Sequence, residues 1–114
     1  MKLTRAEFEK MVRAALRSLP KEIRAKMRNV AIVIEEGTGR GRTLGLYRGV
    51  PLKDRTHEYS LVPPDKITLY KRNIETWCRE EGLDIRREIR HTIEHEVAHH
   101  FGISDERLDD EGVY

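Results

Sequence analysis

The chain is poor in the residues that mark secreted and membrane proteins. Cys78 is its single cysteine, so an internal disulfide is excluded and a reducing compartment is favoured. No apolar run approaches the length of a transmembrane helix. Charged and apolar residues alternate from Lys2 to Lys10, which excludes the apolar core of a signal peptide. We therefore expect a cytoplasmic protein that has no membrane partner.

Amide side chains are also scarce, whereas charged ones are abundant. Glutamine is absent, asparagine occurs only at Asn29 and Asn73, and 37% of the residues are charged. This mixture is typical of a heat-adapted surface with networks of ion pairs. The length of 114 residues and a hydrophobic content of 38% predict one domain, residues 1–114, with a modest core.

Charge is divided unevenly between the two halves of the chain. Residues 1–57 carry fourteen Lys/Arg and six Asp/Glu, whereas residues 58–114 carry eight and fourteen. A basic half can contact nucleic acid. Aromatic residues make up only 6% of the chain, few of them interleave the basic residues, and no nucleic-acid motif is present. We therefore do not expect nucleic acid as a partner.

The most informative stretch is the pattern HExxHxxGxxD near the end of the sequence. His95 and His99 are four residues apart, so on a helix they share a face, about 40° apart around its axis. Both imidazoles can then reach one metal ion, with Glu96 beside them as a base for a water molecule. Gly102 can end the helix and turn the chain back, which brings Asp105 within reach.

The residues around this motif favour a helix with one buried face. Apolar residues recur every fourth position on the side roughly opposite the two histidines: Ile85, Ile89, Ile93, Val97 and Phe101. The alternative is a solvated helix that carries His, Glu and His by chance. The downstream glycine and aspartate favour the metal site.

The third metal ligand is less directly indicated than the first two. A catalytic zinc site keeps three protein ligands and one open position. Only fifteen residues follow His99, too few for a ligand on a distant later helix. Asp105 is the natural candidate, although it also suits the start of a short helix capped by Ser104. Three other acids could replace it, namely Glu106, Asp109 and Asp110.

Most of the chain resembles the small bacterial minimal zincin family of zinc metallopeptidases. The resembling stretches are residues 30–36, 44–52, 67–72 and 94–108. The last of them holds the metal motif and is highly specific, whereas the first three are apolar strand patterns. The resemblance implies a zinc site at His95, His99 and Asp105, with Glu96 as the catalytic base.

Local patterns predict the secondary structure in chain order. Thr4 opens a helix that ends before Pro20, and a short helix then places Ile23 and Met27 inward. Further helices are expected over residues 73–81, ended by Gly82, and from Asp84, as the cap, to Phe101. Three strands are expected at residues 30–36, 44–50 and 67–70. A final turn is expected over residues 104–110.

These elements predict an α+β fold, in which about three strands pack against the N-terminal helix and the metal-binding helix. The glycine-rich residues 37–42 are interpreted as a hairpin connection between the first two strands, since they lack the ending of a phosphate-binding loop. The long loop from Pro51 to Pro64 is a candidate for function. A sheet of this kind has an edge strand that can hold a peptide by strand addition.

The sequence thus predicts a zinc-dependent peptidase that acts on peptides or unfolded protein segments. A donor to the oxyanion is also required, and the candidates are Tyr47, His57, Tyr59, His91 and Tyr114. His100 points about 100° away from His99 on a helix, so it is not expected to be a ligand. Other divalent metals also suit two histidines and a carboxylate. The alternative function is a zinc-binding regulatory or interaction domain that does not cleave, although such a domain has no need of Glu96.

Overall fold

The computed structural model describes residues 2–49 and 65–101, which form a small α+β fold as predicted. The helices are α1 (Arg5–Ser18), α2 (Lys21–Lys26), α3 (Lys71–Glu81) and α4 (Ile85–Phe101). The strands are β1 (Val30–Glu35), β2 (Gly45–Arg48) and β3 (Asp65–Tyr70). The loop from Pro51 to Pro64 and the turn from Ser104 to Asp110 lie outside the described residues.

The ends of the helices follow the local sequence. Thr4 and Glu7 form the predicted capping box of α1, because the Thr4 hydroxyl accepts from the Glu7 N–H and the Glu7 carboxylate accepts from the Thr4 N–H. Gly82 ends α3 in the left-handed region, with φ 63° and ψ 38°, where a glycine is not strained. The Asp84 carboxylate accepts from the Arg86 N–H at the start of α4.

The sheet is mixed, with the strand order β1-β3-β2. β3 pairs parallel with β1 and antiparallel with β2. The hairpin interpretation of residues 37–42 was therefore wrong, because β3 lies between the two strands that these residues connect. Flanked by a strand on each side, β3 is the most deeply buried strand, with Ile67, Thr68 and Leu69 all buried.

The connection from β1 to β2 is fastened to α3 by the side chain of Asn73, which is 6% exposed. Its amide oxygen accepts from the Gly39 N–H at 2.7 Å, and its amide nitrogen donates to the Thr43 carbonyl at 2.9 Å. These two bonds fix the residues that lead into β2 beside α3, where they form one wall of the site described below.

The core lies between the sheet and the helices, and α4 contacts α1, α2, α3, β2 and β3. The predicted apolar face of α4 is buried at Ile85, Ile89, Ile93 and Val97. The prediction that Phe101 also belongs to this buried face was wrong. Phe101 is 37% exposed, because the last turn of α4 extends beyond the core. The Phe101 ring lies edge-on to Tyr47, with the Lys26 ammonium 5.4 Å from its centroid. Within the described residues, no helix is long and apolar enough to cross a membrane.

The apolar i, i+3, i+4 set of Ile74, Trp77 and Cys78 on α3 divides between the core and a cleft. Ile74 and Cys78 are buried, whereas Trp77 is only partly buried. Burial above all, and then the nearby Glu88 and Asp84 carboxylates, raise the pKa of the Cys78 thiol to about 11.

This burial predicts an unreactive thiol in the folded protein. At pH 8 the Cys78 side chain stays protonated, and the thiolate is the reactive form. We expect a thiol-specific disulfide reagent to modify Cys78 only slowly in buffer and rapidly in concentrated urea. Rapid stoichiometric modification of the folded protein would contradict the buried position.

Candidate metal centre

The two motif histidines project from the same side of α4. The His95 and His99 ring centroids are 4.1 Å apart, with His95 partly buried and His99 exposed. The His91 ring lies one turn upstream, stacked at 6.1 Å from His95. This spacing places two imidazoles where one metal ion could bind both, on the side of the helix away from its buried isoleucines.

The predicted third ligand, Asp105, lies outside the described residues, as do its substitutes Glu106, Asp109 and Asp110. Within residues 2–49 and 65–101, no group of three His, Cys, Asp or Glu side chains is arranged to hold a metal. The donor types of His95 and His99 fit zinc, and a third protein ligand would come from outside the described residues.

Glu96 is held against the edge strand β2. Its carboxylate accepts a hydrogen bond from the Tyr47 backbone N–H at 3.2 Å. The Leu44 carbonyl accepts from the Tyr70 N–H, so the antiparallel register turns the backbone groups of Gly45 and Tyr47 away from β3. Those groups face the open edge of the sheet, on the same side as Glu96.

Gly45 permits this close approach of β2 to α4. A Cβ atom at Gly45 would lie 2.7 Å from Thr92 Cγ2 and 3.6 Å from Glu96 Cγ. Thr92 has little freedom to move aside, because it is buried and its hydroxyl donates to the Glu88 carbonyl at 2.7 Å. The separation between the edge strand and the motif helix therefore depends on a residue without a side chain.

A Gly45→Ala substitution should therefore separate β2 from α4. We expect a loss of about 1–3 kcal/mol in the free energy of unfolding, typical of overpacking, measured by urea denaturation. The added Thr92→Ala substitution removes the clashing methyl group, so the double variant should recover part of the lost stability. No recovery would show that Thr92 is not the obstacle.

A second contact joins β2 to the last turn of α4. The Tyr47 ring stacks on His100 at 3.8 Å between centroids, and the Tyr47 hydroxyl donates to the buried Asp65 carboxylate at 2.9 Å. His100 Nε2 lies 3.9 Å from the same carboxylate oxygen. Gly49 makes room for this imidazole, since a Cβ atom there would lie 2.7 Å from His100 Cε1. His100 thus points away from the His95–His99 pair.

This arrangement bears on the candidates for an oxyanion donor. The Tyr47 hydroxyl is directed to Asp65, and His91 lines the cleft beside His95. The other three candidates, His57, Tyr59 and Tyr114, lie outside the described residues. Of the candidates that the structure describes, His91 is therefore the better placed.

A cavity of about 420 Å³ opens beside the histidines, between α4, α3 and the start of β2. α4 contributes five residues spaced along one face, namely Glu88, His91, Thr92, His95 and Glu96. Trp77 of α3 and residues 42–45 complete the lining. The volume is within the range of roughly 300–1,000 Å³ that is usual for ligand pockets.

A buried carboxylate precedes the first histidine. Glu94 is fully buried, and its Oε1 accepts from Arg90 Nε at 2.7 Å. Its Oε2 has no hydrogen-bond partner in the part of the chain that the structure describes. Burial raises the pKa of this carboxyl, and the bond from Arg90 opposes the shift.

Sequence reasoning did not single out Asp65, Glu88 or the opening at Gly45. Asp65 is remote in sequence from both residues that it joins, so no local pattern indicates it. Glu88 could have been found, because it lies seven positions before His95 and so shares its helix face. No sequence pattern around Gly45 indicated that the short strand β2 approaches α4 closely at this residue.

The chain matches the model of a known protein family. The model of the family described as zincin-like metallopeptidase matches residues 27–113, which include both motif histidines and Glu96. A search of curated proteins found no significant match. The matched region begins near the end of α2 and covers every strand, α3 and α4.

Proposed function

The chain belongs to the zincin-like metallopeptidase family, and we propose that it is a zinc-dependent peptidase. The zinc ion would be held by His95, His99 and Asp105, with Glu96 as general base. The observation that carries this proposal is the placement of Glu96, beside the paired imidazoles and against a backbone N–H of the edge strand. A metal site with a purely structural role has no need of a carboxylate so placed.

Each residue has a separate task in this mechanism. His95 and His99 would hold the metal through the nitrogens of their neutral rings, and Glu96, which is not a ligand, would serve as the base. When bound, zinc supplies Lewis acidity, which lowers the pKa of a water molecule towards neutral and polarises a peptide carbonyl. Glu96 accepts the proton of the attacking water and passes it to the leaving amine. The Tyr47 N–H keeps the Glu96 carboxylate oriented before a substrate arrives.

The edge strand β2 suits the backbone of a peptide substrate. The N–H and C=O groups of Gly45 face the open edge and can pair with an extended chain. A chain paired there lies across the Glu96 side of α4. A folded protein rarely offers such an extended segment, so short peptides and unfolded segments are the proposed substrates. The buried single thiol is compatible with action in the reducing cytoplasm.

The test is digestion of a mixed peptide library, with products identified by mass spectrometry. One protein preparation is used zinc-loaded, then stripped by a chelator, and then reloaded with zinc. We expect cleavage in the first and third states only. Zinc bound at one ion per chain without any cleavage would contradict the proposal and favour a zinc-binding regulatory domain.

A further inference from the structure

The cavity between α4, α3 and β2 shares two residues with the proposed catalytic site. His95 and Glu96 line one end of it, and Gly45 lies opposite them on the edge strand. Resting on the proposed function, a peptide paired with β2 would direct one side chain, next to the bond that is cut, into this space. The lining of the cavity then decides which side chains are accepted.

Part of the cavity lining is apolar. Leu44, just before β2, and Trp77 of α3 both line it. Thr92 uses its hydroxyl within α4, in the bond to the Glu88 carbonyl, and its methyl group faces β2. An aliphatic stem or an aromatic face can pack against these three residues without burying an unpaired polar group.

The far end of the cavity carries a negative charge. Glu88 is eight residues before Glu96, which corresponds to about 12 Å along the helix axis. It is only partly exposed, and it has no ion-pair partner among residues 2–49 and 65–101. Its charge contributes to the raised pKa of Cys78, so its carboxylate lies near the α3 end that also carries Trp77. A tryptophan face and a carboxylate together suit a cation.

The one guanidinium of the lining does not reverse this preference. Arg42 is an exposed lining residue, so water screens its charge. An acidic side chain that entered would gain little from this screened charge and would approach the carboxylates of Glu88 and Glu96. A short apolar side chain would leave the Glu88 end unfilled. A long side chain with an aliphatic stem and a positive tip suits both the apolar lining residues and the Glu88 carboxylate.

We propose that this cavity is a specificity pocket for arginine or lysine, and that Glu88 is the residue that selects them. The stem packs against Leu44 and the Thr92 methyl group, and the positive tip reaches the Trp77 face and the Glu88 carboxylate. Arginine fits better than lysine, because its planar guanidinium both stacks on an aromatic ring and pairs with a carboxylate.

Trp77 provides a direct probe of the pocket, because it is the only tryptophan in the chain. Zinc-loaded Glu96→Gln protein is titrated with blocked peptides Ala-Ala-Xaa-Ala-Ala, in which Xaa is Arg, Lys, Leu or Glu, and the fluorescence of Trp77 is recorded. We expect the Arg peptide to bind about tenfold more tightly than the Leu peptide, and the Glu peptide to bind most weakly. Equal affinities, or no fluorescence change with any peptide, would overturn the inference.

Variants at one position assign the effect to Glu88. Glu88→Gln keeps the shape and removes the charge, so the preference for Arg over Leu should fall to about twofold or less. Glu88→Lys should invert the order and favour the Glu peptide. The matched control is Glu80→Gln, an equal change at an exposed α3 residue that does not line the cavity, and it should keep the full preference.

The binding experiment does not depend on catalysis, so the two proposals can fail separately. If the Arg peptide binds through Glu88 but zinc-loaded wild-type protein cleaves no library peptide, the pocket stands and the peptidase proposal fails. If the wild-type protein cleaves the library without a basic preference, and Glu88→Gln changes nothing, the peptidase proposal stands and the pocket inference fails.

Discussion

Substitution of His99 by alanine should abolish zinc binding, whereas the same substitution at His100 should leave it close to that of the wild type. His99 shares a helix face with His95, and their rings are 4.1 Å apart. The His100 ring instead stacks on Tyr47, beside Asp65. Loss of a ligand should weaken zinc binding by more than the roughly 10–100-fold that loss of an outer-shell partner costs.

The measurement is a competition titration of zinc between the protein and a chromophoric chelator. The two variants differ by one position on the same helix turn and remove the same ring, so each controls for the other. A His100→Ala variant that lost zinc while His99→Ala kept it would place the metal on the β2 side of α4. That result would contradict the assigned ligands.

Substitution of Glu96 by glutamine should leave the fold and zinc binding intact and lower the rate of peptide cleavage. The amide keeps the size of the side chain, and its oxygen can still accept from the Tyr47 N–H. It cannot accept a proton from water, so the loss in kcat should be of the size that general bases contribute, about 10²–10⁴-fold.

Three measurements on the Glu96→Gln variant separate this role from a structural one. The zinc content and the midpoint of urea unfolding should match the wild type, and only kcat should fall. Glu81→Gln, the same change at an exposed residue at the end of α3, is the control and should be fully active. A kcat within a factor of a few of the wild type would show that Glu96 is not the base.

Local sequence patterns predicted the helices and the site on α4 because both depend on spacing along one segment. The four-residue repeat of isoleucines gave the buried face of α4, and the same helical period placed His95 and His99 together. The ends at Thr4, Gly82 and Asp84 follow from capping chemistry, which is also local.

The features that escaped prediction depend on contacts between remote segments. β3 lies between β1 and β2, whereas a hairpin interpretation takes account only of neighbours in sequence. The same order leaves β2 at an edge beside α4, which the sequence did not identify. Phe101 was predicted to lie in the core because it continues the four-residue apolar repeat of α4, but the core ends one turn earlier.

Trp77 shows how a correct helical period can give an incomplete interpretation. It belongs to the same i, i+3, i+4 set as Ile74 and Cys78, a spacing that favours one apolar helix face. The structure places it at the border of that face, where its ring lines the cavity beside Glu88 and His91. The helical period predicts the side of the helix on which a residue lies. The elements that pack on that side determine which residues it contacts.

Zinc dependence of the reaction is measured directly by the rate of peptide cleavage as zinc is added stepwise to metal-free protein. We expect a rate that rises in proportion to bound zinc and levels off at one ion per chain, since a single site would hold the metal that the reaction needs. A rate that is already maximal without zinc would contradict a zinc-dependent mechanism. So would a rate that stays at the background level after one ion per chain has bound.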